Sequence, residues 1–351
     1  MTPPQRPRVV LVSIEPWDEV WRRNQHLASR LVQDGYASEL VFVTPPAGGL
    51  ALRARRWSPQ PGITVVTPPL LVPRRFGGHR LVHRWLRREA RSADVIWIND
   101  PVAGAAFVDD SRPLTYDVTD DWSATAQARG DLARIVAAED RLAGAARTVV
   151  CSPTLQERWG DRYGIEPVVI PNGVDVDAIR TAKPRHLTGN GPHAVYVGTL
   201  HENRLDCDLV AEIARTWPGT LHLVGPIGLP EAYVSSLREA GVDLPGAVPS
   251  EDVPGWLTAA DVLICPHKVD TFTMSLDAIK SHEYLATDHP IVATASSGFQ
   301  TMRAPGLRVV DRESFSEALI AAAHDGTSPR AGSVSWDIRT AEFAAALGIS
   351  S

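Results

Sequence analysis

The 351-residue sequence predicts an α/β protein of two Rossmann-like domains facing each other across a cleft. Three observations carry this prediction. Short apolar runs alternate with longer amphipathic stretches, the pattern of parallel βαβ units whose strands are covered on both faces. The alternation runs once before a Pro-Asn-Gly turn at residues 171–173 and again after it. The length is about twice that of a common domain, so each half can bury a core of its own.

In the first half, strands are expected at 8–14, 39–43, 63–66, 95–98, 114–118, 148–151 and 168–170. Helix-period segments lie between several of them, at 20–33, 79–91, 132–142 and 153–163. In the second half, strands at 194–197, 221–224, 262–265, 291–294 and 307–310 alternate with helices at 204–217, 231–240, 252–258, 277–286 and 314–323. The turn beginning at Pro171, followed by a polar stretch at 185–192, marks the boundary. The expected division is 1–172, 173–335, and a final helix within 336–351 that follows a Gly/Ser/Pro-rich link at 326–335 and packs back on the first domain. In two such lobes the carboxyl ends of both sheets meet at the cleft, the edge at which open α/β sheets bind ligands.

Composition narrows the class. Hydrophobic residues make up 44% and charged residues 22%, which is ordinary globular usage. Cys151, Cys207 and Cys265 are widely spaced and give neither a disulfide framework nor a zinc pattern. The first apolar run ends quickly at Glu15 and Pro16, too short for a secretory segment, and no run reaches the roughly 18 apolar residues of a membrane span. A cytoplasmic protein is expected. Residues 1–172 carry 22 Arg and no Lys against 19 acidic residues, a net +3; the remainder carries 13 basic against 22 acidic residues, a net −9. That asymmetry suits two bodies with different partners, and neither body is basic enough for general nucleic-acid binding.

Several segments resemble the GT-B glycosyltransferases. VVIPNGVDVDAI is similar to the phrase joining their two domains, and AVYVGTLHENRLDCDLV resembles the first strand, loop and helix of their donor domain. VDLPGAVPSEDVPGWLTAADVLICPHK and SLDAIKSHEYLATDHPIVAT resemble the later elements that hold the nucleotide sugar. The likeness is to the group 1, family 4-like enzymes. YDVTDDWS at 116–123 resembles a subgroup that includes the xanthan-pathway glucuronosyltransferase, where an Asp of such a pair is the base of an inverting transfer. The larger retaining family carries a Glu-x7-Glu signature; here Glu283 stands at the second position and Ser275 at the first.

The resemblance implies a UDP- or GDP-type sugar donor as co-substrate, no cofactor, and a hydroxyl acceptor that is a glycan, a lipid-linked sugar or a small molecule. On the donor side, Gly198 allows close backbone approach. Thr199 replaces an Arg of the retaining enzymes, and Arg204 stands at the position of their Lys, where a guanidinium clamps a diphosphate bidentately. Lys280 and Glu283 lie three apart on one helical face, the first for phosphate and the second for ribose hydroxyls. The helix start offers free amides to the diphosphate, and Lys268 flanks the same loop. On the acceptor side, Asp120 and Asp121 follow a strand at its carboxyl end, either as catalytic base or as a helix cap. Glu15, Trp17 and Arg22 form an acceptor-side loop, with helix capping and core packing as the plainer reading. No metal is expected: Asp-x-Asp at 175–177 and at 206–208 suits a linker and a helix start.

Arg74–Arg91 holds seven Arg and one Glu beside Leu81, Trp85 and Leu86, a pattern that fits either an anionic membrane surface or a helix covering its own domain. Inversion is favoured over retention. Rival readings are a sugar-nucleotide epimerase or hydrolase of the same architecture, and a non-catalytic partner of another transferase. A dehydrogenase is disfavoured, since no Gly-x-Gly-x-x-Gly follows either first strand.

Overall fold

The computed structural model describes residues 6–46, 51–70, 78–122, 124, 129–328 and 333–349. Within the sequence motifs, Arg74, Arg75, Ser123 and residues 329–332 of the final link lie outside the described residues. The chain divides into two compact units, Met1–Pro171 with Trp336–Ser351, and Asn172–Ser335.

Unit 1 contains β1 (Arg8–Val12), α1 (Arg23–Gln33), β2 (Glu39–Val43), β3 (Arg55–Gln60), β4 (Ile63–Thr67), α2 (Gly78–Glu89), β5 (Val95–Ile98), α3 (Pro101–Gly104), β6 (Leu114–Val118), α4 (Arg129–Ala143), β7 (Arg147–Val150), α5 (Pro153–Tyr163) and β8 (Val168–Val169). Its eight strands run in the order β3-β4-β2-β1-β5-β6-β7-β8, parallel except for the β3–β4 edge pair. Unit 2 contains α6 (Val176–Thr181), β9 (His193–Val197), α7 (Cys207–Thr216), β10 (Thr220–Val224), α8 (Glu231–Glu239), β11 (Asp243–Gly246), α9 (Val253–Leu257), β12 (Val262–Cys265), α10 (Thr271–Ser275), α11 (Ile279–Ala286), β13 (Ile291–Thr294), β14 (Leu307–Val310) and α12 (Phe315–Ala322). Its six parallel strands run β11-β10-β9-β12-β13-β14. The last helix, α13 (Trp336–Leu347), belongs to unit 1: Trp336 stacks on His26 at 4.5 Å, and Phe343 packs on Trp97 at 4.7 Å.

Central strands are buried along their length because both faces are covered. Every residue of β5, β12 and β13 is buried. In each sheet the strand order reverses beside the first strand, between β1 and β5 and between β9 and β12. Those are the switch points at which a crevice opens at the carboxyl ends.

Three helices start later than expected. Helix α7 begins at Cys207 because Asp206 accepts from the Leu209 amide at 3.0 Å, so Arg204 lies in the preceding loop. Helix α1 begins at Arg23, after a loop in which Asp18 takes the Val20 amide and the Arg22 guanidinium. Helix α11 begins at Ile279, which leaves Asp277 outside it. The apolar face of α2 is Val82, Leu86 and Ala90, all buried at i, i+4, i+8; Trp85 packs partly on the same core, and Leu81 is 38% exposed. Among the described residues, no helix is long and apolar enough to cross a membrane.

The charge buried most deeply in unit 1 is a pair. Arg23 donates through Nε to both carboxylate oxygens of Asp117, at 3.0 and 3.2 Å, and through Nη1 to the Pro171 carbonyl at 3.2 Å. Burial pushes the Asp117 carboxyl up, and Arg23 opposes that shift. Removing one partner strands the other charge. Asp117→Asn should therefore lower the stability of unit 1 by about 3–5 kcal/mol in denaturant unfolding, and Arg23→Met combined with Asp117→Leu should recover most of the loss.

Candidate functional site

Three strand ends of unit 2 converge at its switch point. Strand β9 ends into Gly198, β12 runs into Pro266 and His267, and β13 is followed by the 295–298 loop. Gly198 has φ 146°, and a Cβ there would stand 2.5 Å from Nζ of Lys280. Gly225, after β10, has φ 143°, and a Cβ there would overlap the Gly198 carbonyl. The two glycines thus let neighbouring strand ends and a lysine crowd together.

Lys280, in the first turn of α11, is half-buried. Its Nζ donates to the Tyr196 hydroxyl at 2.5 Å, lies 3.3 Å from Nε2 of His267, and stands 3.8 Å from the centre of the Tyr196 ring. Burial pulls the ammonium down to about 8, with Arg204 adding to the fall and Cys265 and Glu283 opposing it. His267 is buried, and burial, then Lys280 and Arg204, hold its imidazole well below the usual value. Burial pushes Glu283 up to about 7, against the pull of Lys280 and His282.

Arg204 comes to this cluster through the loop. Leu205 pairs with His267 in a short antiparallel bridge, the Lys268 amide donates to the Arg204 carbonyl at 2.7 Å, and the Arg204 guanidinium lies over Phe272 at 5.6 Å. Gly198, Thr199, Arg204, Lys280 and Glu283 are therefore grouped, Thr199 through its carbonyl, which lies 3.3 Å from the Tyr196 hydroxyl. Lys268 is not part of the group: it is exposed, and its Nζ donates to the Glu202 carbonyl at 2.6 Å. Ser275 is fully buried, and its hydroxyl donates to the Phe272 carbonyl at 2.7 Å, closing the short helix α10. The two Asp-x-Asp sequences have local duties, with Asp175 capping α6 and Asp206 capping α7.

Reasoning from sequence missed Tyr196, His267 and Ser297. The signal for His267 was its place two residues past a fully apolar strand at the sheet's carboxyl edge. Tyr196 sits inside an apolar strand, where nothing distinguishes it from core. Ser297 has φ 55°, a left-handed conformation visible only in the structure.

In unit 1, Asp120 and Asp121 follow β6. Asp121 forms an ion pair with Arg158, and its Oδ1 accepts from the Ala124 amide at 3.2 Å. Asp120 accepts from the Thr119 hydroxyl at 3.2 Å. One face of α5 serves three acids, since Arg162, one turn after Arg158, lies 3.0 Å from Asp140 and 3.8 Å from Glu139. Glu139 also accepts from the Tyr116 hydroxyl at 3.2 Å, and burial pushes it up to about 7. The loop after β1 is tied to itself: Arg22 pairs with Asp18 at 2.8 Å and with Glu15 at 3.5 Å, and Trp17 packs edge-on against buried Phe42 at 5.1 Å.

Residues 20–178 match the family Glycosyltransferase Family 4, and residues 191–325 match Glycosyl transferases group 1. TuaH of Bacillus subtilis (strain 168), named as a teichuronic acid biosynthesis glycosyltransferase, is 26% identical over 209 residues, 55% of this chain and 53% of that protein. The chain thus spans about half the length of this curated relative. Sucrose-phosphate synthase from Thermosynechococcus elongatus is similar in structure with a TM-score of 0.72 at 18% identity, over 97% of this chain and 95% of that one. An alpha,alpha-trehalose-phosphate synthase (UDP-forming) from Burkholderia xenovorans, in complex with glucose-6-phosphate, gives 0.68 at 10% identity over 97% and 99%. At these identities the two solved structures are alike in fold.

The crowding at Gly225 is testable without a ligand. Gly241 has φ 82° and open space about it, so alanine there costs backbone strain alone. Gly225→Ala should destabilise unit 2 by about 1–3 kcal/mol more than Gly241→Ala in denaturant unfolding, the added cost of overlap.

Proposed function

The chain belongs to the GT-B glycosyltransferases of group 1, and within that family we propose that it transfers a sugar from a UDP- or GDP-type donor to a hydroxyl acceptor, with inversion and without a metal. The observation that carries the proposal is the Lys280 ammonium set against the Gly198 backbone at the switch point of unit 2. A diphosphate needs a cation and a close backbone there, and Arg204 supplies a second positive group. Glu283, on the lysine's helical face, serves the ribose hydroxyls.

Asp120 is the base. Asp121 is engaged by Arg158 and by the Ala124 amide, contacts that tie it to the turn after β6. In the transfer, the acceptor oxygen bonds to the anomeric carbon as Asp120 takes its proton. The bond from that carbon to the diphosphate breaks, and the diphosphate leaves with the electron pair, its charge met by Lys280 and Arg204. The engagement of Ser275 with its own helix supports inversion, since no carboxylate stands at that position. On the acceptor side, the loop of Glu15, Trp17 and Arg22 offers a preformed rim whose side chains already hold one another.

The acceptor proposal extends to a membrane surface. Arg56 of β3 donates to Glu89 of α2 at 2.5 Å, so strand and helix border one face. Arg84, Arg88 and Arg91 are exposed there beside Leu81 at 38% exposure, while Arg55 and Trp57, the latter at 47%, are exposed on the side of β3 opposite Arg56. Arginines beside exposed apolar side chains suit anionic headgroups.

Thermal-shift screening against nucleotide sugars should single out one donor by raising the melting midpoint. Donor binding should weaken as pH rises through about 8, where Lys280 loses its proton, and Lys280→Arg should remove that alkaline limb. Asp120→Asn should keep the thermal shift and lose about 10²–10⁴-fold in transfer, with product of inverted configuration by NMR in the wild type. Loss of donor binding in Asp120→Asn would misplace the base. Retained configuration would overturn inversion, and donor breakdown without acceptor would point to a hydrolase or epimerase.

A further inference from the structure

We infer that Tyr196 and His267 are positioning residues for Lys280, forming a neutral cradle of hydrogen-bond acceptors that holds its ammonium charged and fixed over Gly198. The inference deepens the donor reading and rests on it for its purpose, which is to present one uncompensated positive charge to a diphosphate.

The geometry fixes the roles. An ammonium only donates, and its two nearest partners are the Tyr196 hydroxyl at 2.5 Å and Nε2 of His267 at 3.3 Å. In the cradle Nε2 is taken as the unprotonated nitrogen that accepts from the ammonium, which leaves Nδ1 to carry the hydrogen and donate to the Ser297 hydroxyl at 2.8 Å. The Tyr196 proton then has Nε2 at 3.0 Å and the Thr199 carbonyl at 3.3 Å as acceptors. Ser297 sits at φ 55°, its amide held by the Thr273 carbonyl at 2.9 Å, so the serine hydroxyl that meets Nδ1 is placed by backbone.

Both cradle groups stay uncharged. Burial pushes the Tyr196 phenol well above its usual range and holds His267 well below its own. Around Lys280 the titratable groups are Tyr196 on β9, Cys265 and His267 at the end of β12, Arg204 before α7, and Glu283 on its own helix. Of these, Tyr196 and His267 touch the ammonium as neutral acceptors. They lower the cost of burying the cation without cancelling it, whereas a carboxylate in that place would leave no net charge for the ligand.

The chain has three lysines, Lys183, Lys268 and Lys280, so protein labelled with [ε-13C]lysine gives three side-chain signals, each assigned by its Lys→Arg variant. In the wild type the Lys280 signal should titrate near 8. Tyr196→Phe, which keeps the ring and removes the acceptor, should lower that midpoint by about one pH unit or more, as should His267→Leu. His267→Gln, which retains an acceptor, should restore it. Unmoved Lys183 and Lys268 signals show that unit 2 is intact, and UDP affinity should fall with the Lys280 midpoint. An unchanged midpoint in both Tyr196→Phe and His267→Leu overturns the cradle, even where UDP binding weakens. A lowered midpoint in a protein that binds no nucleoside diphosphate upholds the cradle and overturns the donor reading.

Discussion

Two absent side chains organise the switch point of unit 2. The Lys280 ammonium stands where a Cβ at position 198 would crowd it, and Gly225 in turn lies where a Cβ would meet the Gly198 carbonyl. The end of β9 can therefore lie against its neighbour strand and against a lysine at once. Parallel sheets with helices on both faces place loop after loop at one edge, but they do not by themselves make room there. Two glycines make the room, and the helix carrying Lys280 fills it with charge.

The two units bury charge by opposite means, and the difference bears on what each can do. In unit 1, Arg23 meets Asp117 through both carboxylate oxygens, so the pair is nearly neutral to anything beyond it. Such a pair specifies how α1 and β6 dock, and it adds little field at a distance. In unit 2, the Lys280 ammonium touches the hydroxyl and ring face of Tyr196 and the imidazole of His267, neither of them ionised. The charge is held but not spent. A cation kept in partly dry surroundings with neutral partners attracts an anion far more strongly than one paired with a carboxylate, because water does little there to screen it.

Most of the architecture could be read before any coordinates existed, and the reasons are local. The runs at 95–98, 114–118, 262–265 and 291–294 became strands with those bounds because strands covered on both faces are buried from end to end and stand out against the polar loops beside them. The edges were harder. The exposed, arginine-rich strand β3 and the Asp-Leu-Pro-Gly strand β11 carry no apolar run, since an edge strand has fewer neighbours to pack against. Helix starts slipped where the capping residue stood inside an apolar-periodic stretch, as Asp206 does. In the candidate site, charged residues at loop positions were visible, whereas Tyr196 looked like core because it is core, and it acts by its one polar atom. Lys268 and Ser275 drew attention by position; an exposed contact to a carbonyl and a buried helix closure explain them instead.

The Pro-Asn-Gly phrase at the boundary is made of residues whose backbone groups are bound within each unit. Pro171 ends unit 1, and its carbonyl accepts from Arg23 at 3.2 Å, the same guanidinium that neutralises Asp117. Asn172 opens unit 2, and its amide donates to Asp277 at 2.5 Å while its side chain bonds the Asp277 carbonyl. Asp277 also accepts from His282 at 2.8 Å, one turn into the helix that bears Lys280 and Glu283. The peptide between the units thus has its oxygen bound to the core of one and its nitrogen bound to the first residues before α11 in the other. Asparagine suits position 172 because it adds a second donor to the amide, and proline suits 171 because its carbonyl is the group required and its missing N–H is no loss.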